Sequence, residues 1–314
     1  MSDKLQIRRY EPQNKSEWDA LVKASAGGTF LFLRDYMEYH AHRFTDYSLM
    51  IYNESRLLAL LPATRHDEEV VSHGGLTYGG FVALPELTSM QMLKLFEVVA
   101  TYMREQGIRY WYYKPVPYIY QCYPHAAEQY ALYVMGAKRT ACNLSSAIDL
   151  SKPLKYAQLR RRGIKRAVQS GVNIAEWQDF GSFWFILGAN LQERHGVSPV
   201  HTRDEMVLLQ ECFPHNIKLH TACIGDRVVA GCVVYNTGVV AHVQYISASP
   251  EGKECGALDY LFDYLIEQEY SGCKYFDFGI STEQNGMKLN TGLLSQKEGF
   301  GARGVLYETY CIIL

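Results

Sequence analysis

An internal repeat constrains the fold of this chain more than any other sequence feature. The first pair of similar segments is NESRLLALLPA (Asn53–Ala63) and GDRVVAGCVVY (Gly225–Tyr235), each a polar turn followed by an arginine and an apolar strand. The second pair is MLKLFEVVATYMREQGIRYWYYK (Met92–Lys114) and LDYLFDYLIEQEYSGCKYFDFG (Leu258–Gly279), each an amphipathic helix followed by a glycine, a basic residue and an aromatic strand. The pairs are offset by 171 and 165 residues. This near-constant spacing indicates a tandem duplication of one α/β unit.

Each copy has the order of hairpin strands, a longer strand, a helix and a further strand. In the second copy, Gly-Asp and Thr-Gly turns separate the β-rich runs KLHTACIG, RVVAGCVVYN and VVAHVQYISAS. The helix ALDYLFDYLIEQEY and the strand KYFDFGI follow them. This order predicts an α/β fold (α+β, mixed sheet), and it resembles the layout of acetyltransferases of the GNAT superfamily. We expect two tandem GNAT-like acyltransferase domains, over residues 1–150 and 151–314, with a cleft at their junction.

Length and composition agree with a soluble two-domain protein. The chain has 314 residues, of which 48% are hydrophobic and 20% charged, and its formal net charge is −2. The longest apolar run, Val228–Val243, is broken by Asn-Thr-Gly and predicts a hairpin rather than a membrane span. The eight cysteines form no CxxC motif and have no metal-ligand spacing. We expect reduced thiols, no metal site, no membrane insertion and a cytoplasmic location.

Four short motifs carry a more specific resemblance. They are Arg161-x-x-Ile164-x-x-Ala167-x-x-x-Gly171, YFDFGIST (Tyr275–Thr282), GLLSQKEGFGARGVLYETYCIIL (Gly292–Leu314) and LTYGGFV (Leu76–Val82). In their order along the chain, they resemble motifs of the Fem family of bacterial nonribosomal peptidyltransferases. The resemblance implies transfer of an aminoacyl or acyl group to an amine of a cell-wall (peptidoglycan) precursor or another sugar-nucleotide-linked molecule. It places the acceptor in the first domain and the acyl donor in the second.

The resemblance leaves the donor open, because acyl-CoA-using relatives share the same motifs. Aminoacyl-tRNA and acyl-CoA are the two candidate donor substrates, and no tightly bound cofactor is expected. One alternative is an acyl-CoA-dependent N-acetyltransferase that acts on another amine. The other is a non-catalytic GNAT-like module that only binds a ligand.

Two catalytic candidates lie near the end of the chain. Lys297 lies in SQKEGFGAR, on a loop that glycines allow to approach a ligand closely. A lysine there can stabilise the oxyanion of acyl transfer or bind a phosphate, and the resemblance places it at the acyl-transfer centre. Asp277 ends an aromatic strand, where it can serve as general base or simply accept hydrogen bonds from the following turn. Tyr245 and Phe300 are expected to line the substrate cleft, although Phe300 is equally suited to the core.

A donor loop is expected after the strand QYISAS. There Gly252, Lys253 and Gly256 give part of the glycine-rich pattern with which backbone N–H groups hold the pyrophosphate of CoA. The pattern is incomplete, and Glu251 and Glu254 would repel a diphosphate. This departure suits a donor held in another way, such as the terminal nucleotide of a charged tRNA.

The segment LRRRGIKRAVQSGV (Leu159–Val172) is the most basic part of the chain. On a helix, its small and apolar residues fall within an arc of about 100°. The three cations opposite that arc are Arg162, Lys165 and Arg166, which we assign to solvent or to a tRNA backbone. Arg160 and Arg161 lie at the start and rim of the arc, where they can bind the phosphates of a small acceptor.

The resemblance supports the phosphate role for Arg161, and Arg43 is a further candidate ligand for an acceptor phosphate. The predicted partners are therefore a phosphate-bearing amine and, with the tRNA donor, a charged tRNA. One basic helix in an acidic chain lacks the broad cationic surface of duplex DNA-binding proteins.

Overall fold

The computed structural model describes residues 5–123 and 126–314. The chain forms two compact units. Unit 1 contains residues 1–143, 283–288 and 306–314, and unit 2 contains residues 144–282 and 289–305. The predicted domain limits of 1–150 and 151–314 remain predictions.

The first half of the chain is built mainly of short strands. Its elements are β1 (Leu5–Arg9), α1 (Lys15–Ala24), α2 (Arg34–Glu38), β2 (Leu49–Asn53), β3 (Arg56–Leu61), β4 (Thr64–His66), β5 (Glu69–Val71), β6 (Val82–Ala83), α3 (Ser89–Glu105), β7 (Tyr110–Tyr113), α4 (Ala127–Val134) and β8 (Lys138–Asp149).

The second half has longer strands and more helices. Its elements are α5 (Gln158–Gln169), β9 (Val172–Trp177), α6 (Gly181–His195), α7 (Arg203–Cys212), β10 (Ile217–Ile224), β11 (Arg227–Asn236), β12 (Val240–Ala248), α8 (Pro250–Cys255), α9 (Ala257–Tyr264), β13 (Tyr275–Ile280), β14 (Thr282–Glu283), β15 (Lys288–Leu289), α10 (Thr291–Glu298) and β16 (Arg303–Ile313). A π-helical turn, Leu265–Glu269, extends α9.

Unit 1 packs its strands against the long helix α3. Strands β1, β2, β3 and β6 form an antiparallel sheet, and β7 pairs with β5 in parallel and with β16 antiparallel. Thr88 caps α3, with Gln91 completing a capping box. The apolar face of α3, including Leu95 and Phe96, is buried in the same core as Trp111 of β7.

Unit 2 contains a sheet in the order β8-β13-β12-β11-β10-β9. One face carries the core formed with α9, where Phe262, Phe276 and Phe278 pack together. Helix α6 contacts β11 and β12 on the opposite face, where Phe183 lies over the sheet at Gly231. Of the pairings of this sheet, β12 with β13 is parallel.

The repeat predicted from the sequence is confirmed in the order of the elements. Strands β3 and β11 both begin at the arginine of the repeated segment, and each pairs antiparallel with the strand before it. Helices α3 and α9 both lead to the aromatic strands β7 and β13. The apolar run Val228–Val243 forms the expected hairpin of β11 and β12. Across the described residues, every helix is too short or too polar to cross a membrane.

Candidate active site

The sheet of unit 2 opens between β12 and β13. These parallel strands pair only from Val240 to His242 and from Tyr275 to Asp277. Beyond this point β12 continues to Ala248, whereas β13 shifts register and pairs through Ile280 with Ser145 of β8. In open α/β sheets, ligands bind at the carboxyl ends of strands where neighbouring strands separate. His242 and Asp277 therefore mark the position of a candidate site.

The carboxylate of Asp277 is completely buried and lies among hydrogen-bond donors. Ser145 Oγ donates to Asp277 Oδ1 at 2.5 Å, and the Gly279 N–H donates to the same oxygen at 3.2 Å. His242 Nδ1 lies 2.8 Å from Asp277 Oδ2. Both carboxylate oxygens are thus bound within the sheet. This arrangement suits a residue that orients its neighbours better than one that takes a proton directly from a substrate.

Lys297 lies next to this cluster. Its side chain projects from α10, and Nζ donates to the carbonyl oxygens of Gly279 and Ile280, each at 2.7 Å. Only 5% of the residue is exposed, and burial lowers the pKa of its ammonium group to about 8, against the opposing effect of Asp277. Gly279 has a φ of +76°, and a Cβ on it would lie 3.6 Å from His242 Cε1. Gly279 thus brings the lysine and the imidazole to the same place.

A cleft with a volume of about 860 Å³ lies in the same unit. Residues of α5, α6, α8, β12 and α10 line it, and on β12 they are Ile246, Ser247 and Ala248, beyond the point where β12 leaves β13. Leu293 and Gln296 of α10 also line the cleft, and Lys297 is the next residue on that helix. Helix α10 therefore connects the cleft to the Lys297 position.

The cleft is strongly cationic. The basic residues that line it are Arg160, Arg162, Arg166, Arg194 and Lys253, and its one acidic lining residue is Asp259, which is paired with Arg160. Within residues 5–123 and 126–314, no salt bridge engages Arg162, Arg166 or Arg194. Lys253 Nζ donates to Asn190 Oδ1 at 2.8 Å. A concave surface with this excess of positive charge attracts phosphate groups.

Arg162 and Arg166 are exposed, as the sequence predicts, and they also line the cleft. The predicted apolar arc is only partly buried, because the buried residues of α5 are Gly163 and Ala167, and Val168 is 54% exposed. Gly163 lets α5 approach α9 closely, since a Cβ there would overlap the Asp259 carboxylate. Small residues define this contact face, and hydrophobic periodicity does not detect them.

The two arginines assigned to phosphate binding lie in different places. Arg160 lines the cleft, but its guanidinium binds the buried carboxylate of Asp259 and lies 5.8 Å from the Phe300 ring centroid. Burial raises the pKa of Asp259, and Arg160 opposes that effect. Arg161 is exposed and lines a separate surface depression with Tyr156 and Glu267. The structure therefore does not bring Arg161 together with the cleft.

The predicted donor loop lines the cleft, but it is mostly helical. Gly252 N–H donates to Ser249 Oγ at 3.1 Å, and Gly256 N–H bonds to the Gly252 carbonyl within the same turn. Both glycines are needed for close packing, because a Cβ would overlap the Val229 carbonyl at Gly252 and lie 2.7 Å from the Gly163 carbonyl oxygen at Gly256. The positive charge at this part of the cleft comes from side chains, which fits the incomplete glycine pattern of the sequence.

The expected repulsion by Glu251 is also removed. Arg227 binds the Glu251 carboxylate through two hydrogen bonds of 2.9 Å each. Neither Glu251 nor Glu254 belongs to the lining of the cleft. The acidic residues of this segment therefore do not oppose an anion in the cleft.

Three further predicted site residues lie outside the cleft. Phe300 is fully buried in the core, so it does not line a cleft wall. The Tyr245 hydroxyl binds His201 Nδ1 at 2.5 Å, the Tyr245 ring packs on Trp184, and burial raises the tyrosine pKa to about 12. Arg43 is exposed in unit 1, where its Nε donates to His42.

Three residues of the site were missed by the sequence reasoning. His242 and Ser145 are isolated polar residues within apolar strands, and their meeting at Asp277 depends on strand register. Arg194 lies on α6, far in sequence from the other cations of the cleft. One signal in the sequence pointed to His242. It is a polar residue at a position in an apolar strand where an apolar residue is expected.

Comparisons with known proteins identify the domain and the fold. A family model described as an acetyltransferase (GNAT) domain matches residues 155–285. The crystal structure of FemX superposes with a TM-score of 0.68 at 11% identity, over 98% of this chain and 97% of that chain. No curated protein sequence matches the chain.

Two other solved structures share the fold. The C-terminal domain of a putative lysylphosphatidylglycerol synthetase from Agrobacterium fabrum has a TM-score of 0.61 at 10% identity, over 95% of this chain and 91% of that one. A tandem GNAT protein from the clavulanic acid biosynthesis pathway has a TM-score of 0.52 at 9% identity, over 98% of each chain.

The matched segment, residues 155–285, is an acetyltransferase (GNAT) domain, and the chain as a whole has a FemX-like tandem GNAT fold in a mixed α/β architecture. The predictions of fold class and of an acyltransferase are confirmed.

Proposed function

We propose that the protein transfers an acyl or aminoacyl group from a phosphate-bearing donor to the amino group of a small acceptor. The cationic cleft of unit 2 binds the donor phosphates, and Lys297 stabilises the acyl-transfer transition state. The observation that carries the proposal is the set of cleft arginines without salt bridges, Arg162 and Arg166 on α5 and Arg194 on α6, all within the GNAT-matched segment.

The donor assignment follows from the chemistry of the cleft. A CoA thioester and the 3′ end of an aminoacyl-tRNA each carry phosphates and a reactive acyl group on the same molecule. Arg162, Arg166, Arg194 and Lys253 supply the positive charge that such a donor requires. Side-chain cations in place of a backbone N–H cradle favour the tRNA end over CoA, although either donor fits the charge. Both donors are cytoplasmic molecules, so we propose that the reaction takes place there.

Lys297 has the environment expected of an oxyanion-stabilising group. With a pKa of about 8, the ammonium group stays mostly protonated at neutral pH, so it can carry the charge that an oxyanion requires. Two backbone carbonyls fix its position before any substrate arrives. A preorganised cation of this kind contributes about 10²–10³-fold to the rate of acyl transfer.

The Fem-like motifs and fold support a proposal for the acceptor. We propose an amine of a cell-wall precursor or of another sugar-nucleotide-linked molecule. The Agrobacterium fabrum protein of the same fold is named a putative lysylphosphatidylglycerol synthetase, and that name supports an aminoacyl group as the transferred unit. Acyl-CoA-dependent acetylation of a different amine is the alternative within the same class.

The cleft is tested by steady-state kinetics on a donor and acceptor pair found by screening CoA thioesters and aminoacyl-tRNAs against nucleotide-linked amino sugars. Replacing Arg162 and Arg166 together by alanine should raise the donor KM at least tenfold, because each arginine forms charge-assisted bonds to phosphate. Lys165→Ala is the matched control, since Lys165 is exposed on the same helix but does not line the cleft.

Thermal shift separates the two donors. Stabilisation by CoA, absent in the double variant, would favour the acyl-CoA donor, whereas a shift with aminoacyl-tRNA alone would favour the tRNA. An unchanged donor KM in the folded double variant would contradict the cleft assignment. Binding without turnover for every pair would instead indicate a non-catalytic module.

A further inference from the structure

We propose that His242 is the general base of the reaction and that Asp277 and Ser145 position it. This inference rests on the proposed acyl transfer and adds the group that takes the proton from the acceptor amine. It rests on the hydrogen bonds of the buried cluster and on the place of His242 at the opening of the sheet.

The cluster fixes the tautomer of the imidazole. An ionised carboxylate only accepts hydrogen bonds, so the contact of 2.8 Å between His242 Nδ1 and Asp277 Oδ2 places a proton on Nδ1. Nε2 then carries the lone pair that a base requires. Ser145 and the Gly279 N–H hold the other carboxylate oxygen, so Asp277 cannot rotate away from the ring.

Nε2 is open to the site. Within the described part of the chain, Nε2 has no hydrogen-bond partner, and it is not among the fully buried unpaired atoms. The His242 side chain is 12% exposed, although the ring lies in the middle of the sheet beside the fully buried Asp277. The imidazole is therefore held on one edge and accessible on the other.

The neighbours of His242 complete a reaction centre. The titratable groups beside it are Asp277 on β13, Tyr235 opposite it in register on β11 and, beyond Gly279, Lys297 on α10. Lys297 and His242 thus both lie beside Gly279. An acyl carbonyl bound here would meet a cation for its oxygen and a base for the attacking amine.

The proton balance is complete without a further reactant. The neutral acceptor amine attacks the acyl carbon, the new C–N bond forms, and His242 Nε2 takes one N–H proton. The bond from the acyl carbon to the donor sulfur or oxygen then breaks, and the imidazolium returns that proton to the leaving thiolate or alkoxide. Between these two proton transfers, the Asp277 carboxylate stabilises the His242 imidazolium.

A second histidine of the same sheet shows what a purely structural role looks like. His220 on β10 is 1% exposed, its Nε2 binds the Tyr270 hydroxyl at 2.8 Å, and burial lowers its pKa to about 4. Its bonded nitrogen is enclosed in the core, whereas His242 keeps one nitrogen accessible. His220 is therefore the matched control for any substitution of His242.

The test is the pH profile of kcat/KM for His242→Gln and His220→Gln. Glutamine can still donate a hydrogen bond to Asp277 but cannot take a proton. We expect His242→Gln to lose about 100-fold or more in kcat/KM at pH 7 and to lose the acidic limb of the profile, with an unchanged donor KM. His220→Gln should keep the limb. Acceptors with different amine pKa values identify the limb, because a limb that belongs to His242 does not move with the acceptor.

The inference is overturned if a folded His242→Gln keeps the acidic limb while the cleft variants still raise the donor KM, and the proposed function then stands alone. If wild-type protein transfers no acyl group from any donor tested, the proposed function fails and the base role falls with it. Nitrogen NMR of the wild-type imidazole does not depend on any variant folding, and it should show the proton on Nδ1. A proton on Nε2 at neutral pH would overturn the base role.

Discussion

Gly163 tests the close contact between α5 and α9 that shapes the cleft. A Cβ at this position would overlap Asp259 Oδ2 and lie 2.7 Å from Asp259 Cγ. Alanine therefore forces the carboxylate away from Arg160 or the two helices apart. The matched control is Gly188 in the interior of α6, where an added Cβ meets nothing within 4 Å.

We expect Gly163→Ala to lower the free energy of unfolding and Gly188→Ala to raise it. Both substitutions gain about 1 kcal/mol of helix propensity. Overpacking at Gly163 costs about 3 kcal/mol, which leaves a net loss of about 2 kcal/mol in the free energy of unfolding. For a protein of this size, that loss lowers Tm by roughly 4–8 °C, whereas Gly188→Ala raises it by roughly 2–4 °C.

Scanning calorimetry on the two variants measures this difference. The donor KM of Gly163→Ala should also rise, because Arg160, Arg162 and Arg166 move with α5. If Gly163→Ala were as stable as Gly188→Ala, the contact between α5 and α9 would not be as close as described, and the explanation for the cationic cleft would fail.

Two further predictions concern a core phenylalanine and a partly buried lysine. Phe300→Ala should lower the free energy of unfolding by about 3–5 kcal/mol, measured by urea denaturation, because it empties a fully buried site. A selective rise in donor KM with unchanged stability would instead restore Phe300 as a cleft residue. Lys114 donates to the carbonyl oxygens of His73 and Leu76, and burial lowers its pKa from 10.5 to about 8. Between these pH values the unfolded chain binds more protons at this lysine, so its contribution to the free energy of unfolding rises with pH. The stability difference between wild type and Lys114→Met, followed from pH 7 to 10.5, should increase in favour of wild type, and a flat difference would exclude the lowered pKa.

The sequence predicted the architecture well because the repeat and the strand and helix periods are local patterns. The segments that begin β3 and β11 and those that form α3 and α9 were identified from residue order alone. Lys297 was identified from its glycine-rich motif. In the structure its Nζ donates to the Gly279 carbonyl near the end of β13.

The side-chain partners could not be predicted in the same way. His242, Asp277 and Ser145 come together through the register of three strands, which depends on packing between residues distant in sequence. The orientation of α5 depends on Gly163 and Ala167, whose small side chains make the contact without a hydrophobic signal. A helical wheel weighted by hydrophobicity therefore predicts that Arg162 and Arg166 are exposed, but it does not predict that they line the cleft.

Lys297 is the most direct test of the account. We expect Lys297→Met to reduce single-turnover acyl transfer by about 10²–10³-fold, because the transition state loses its preorganised cation. Lys165→Met, an exposed lysine of α5, should keep full activity. Equal donor affinity in both variants would locate the loss in the chemical step. Undiminished transfer by a folded Lys297→Met protein would contradict the assignment of this site as the acyl-transfer centre.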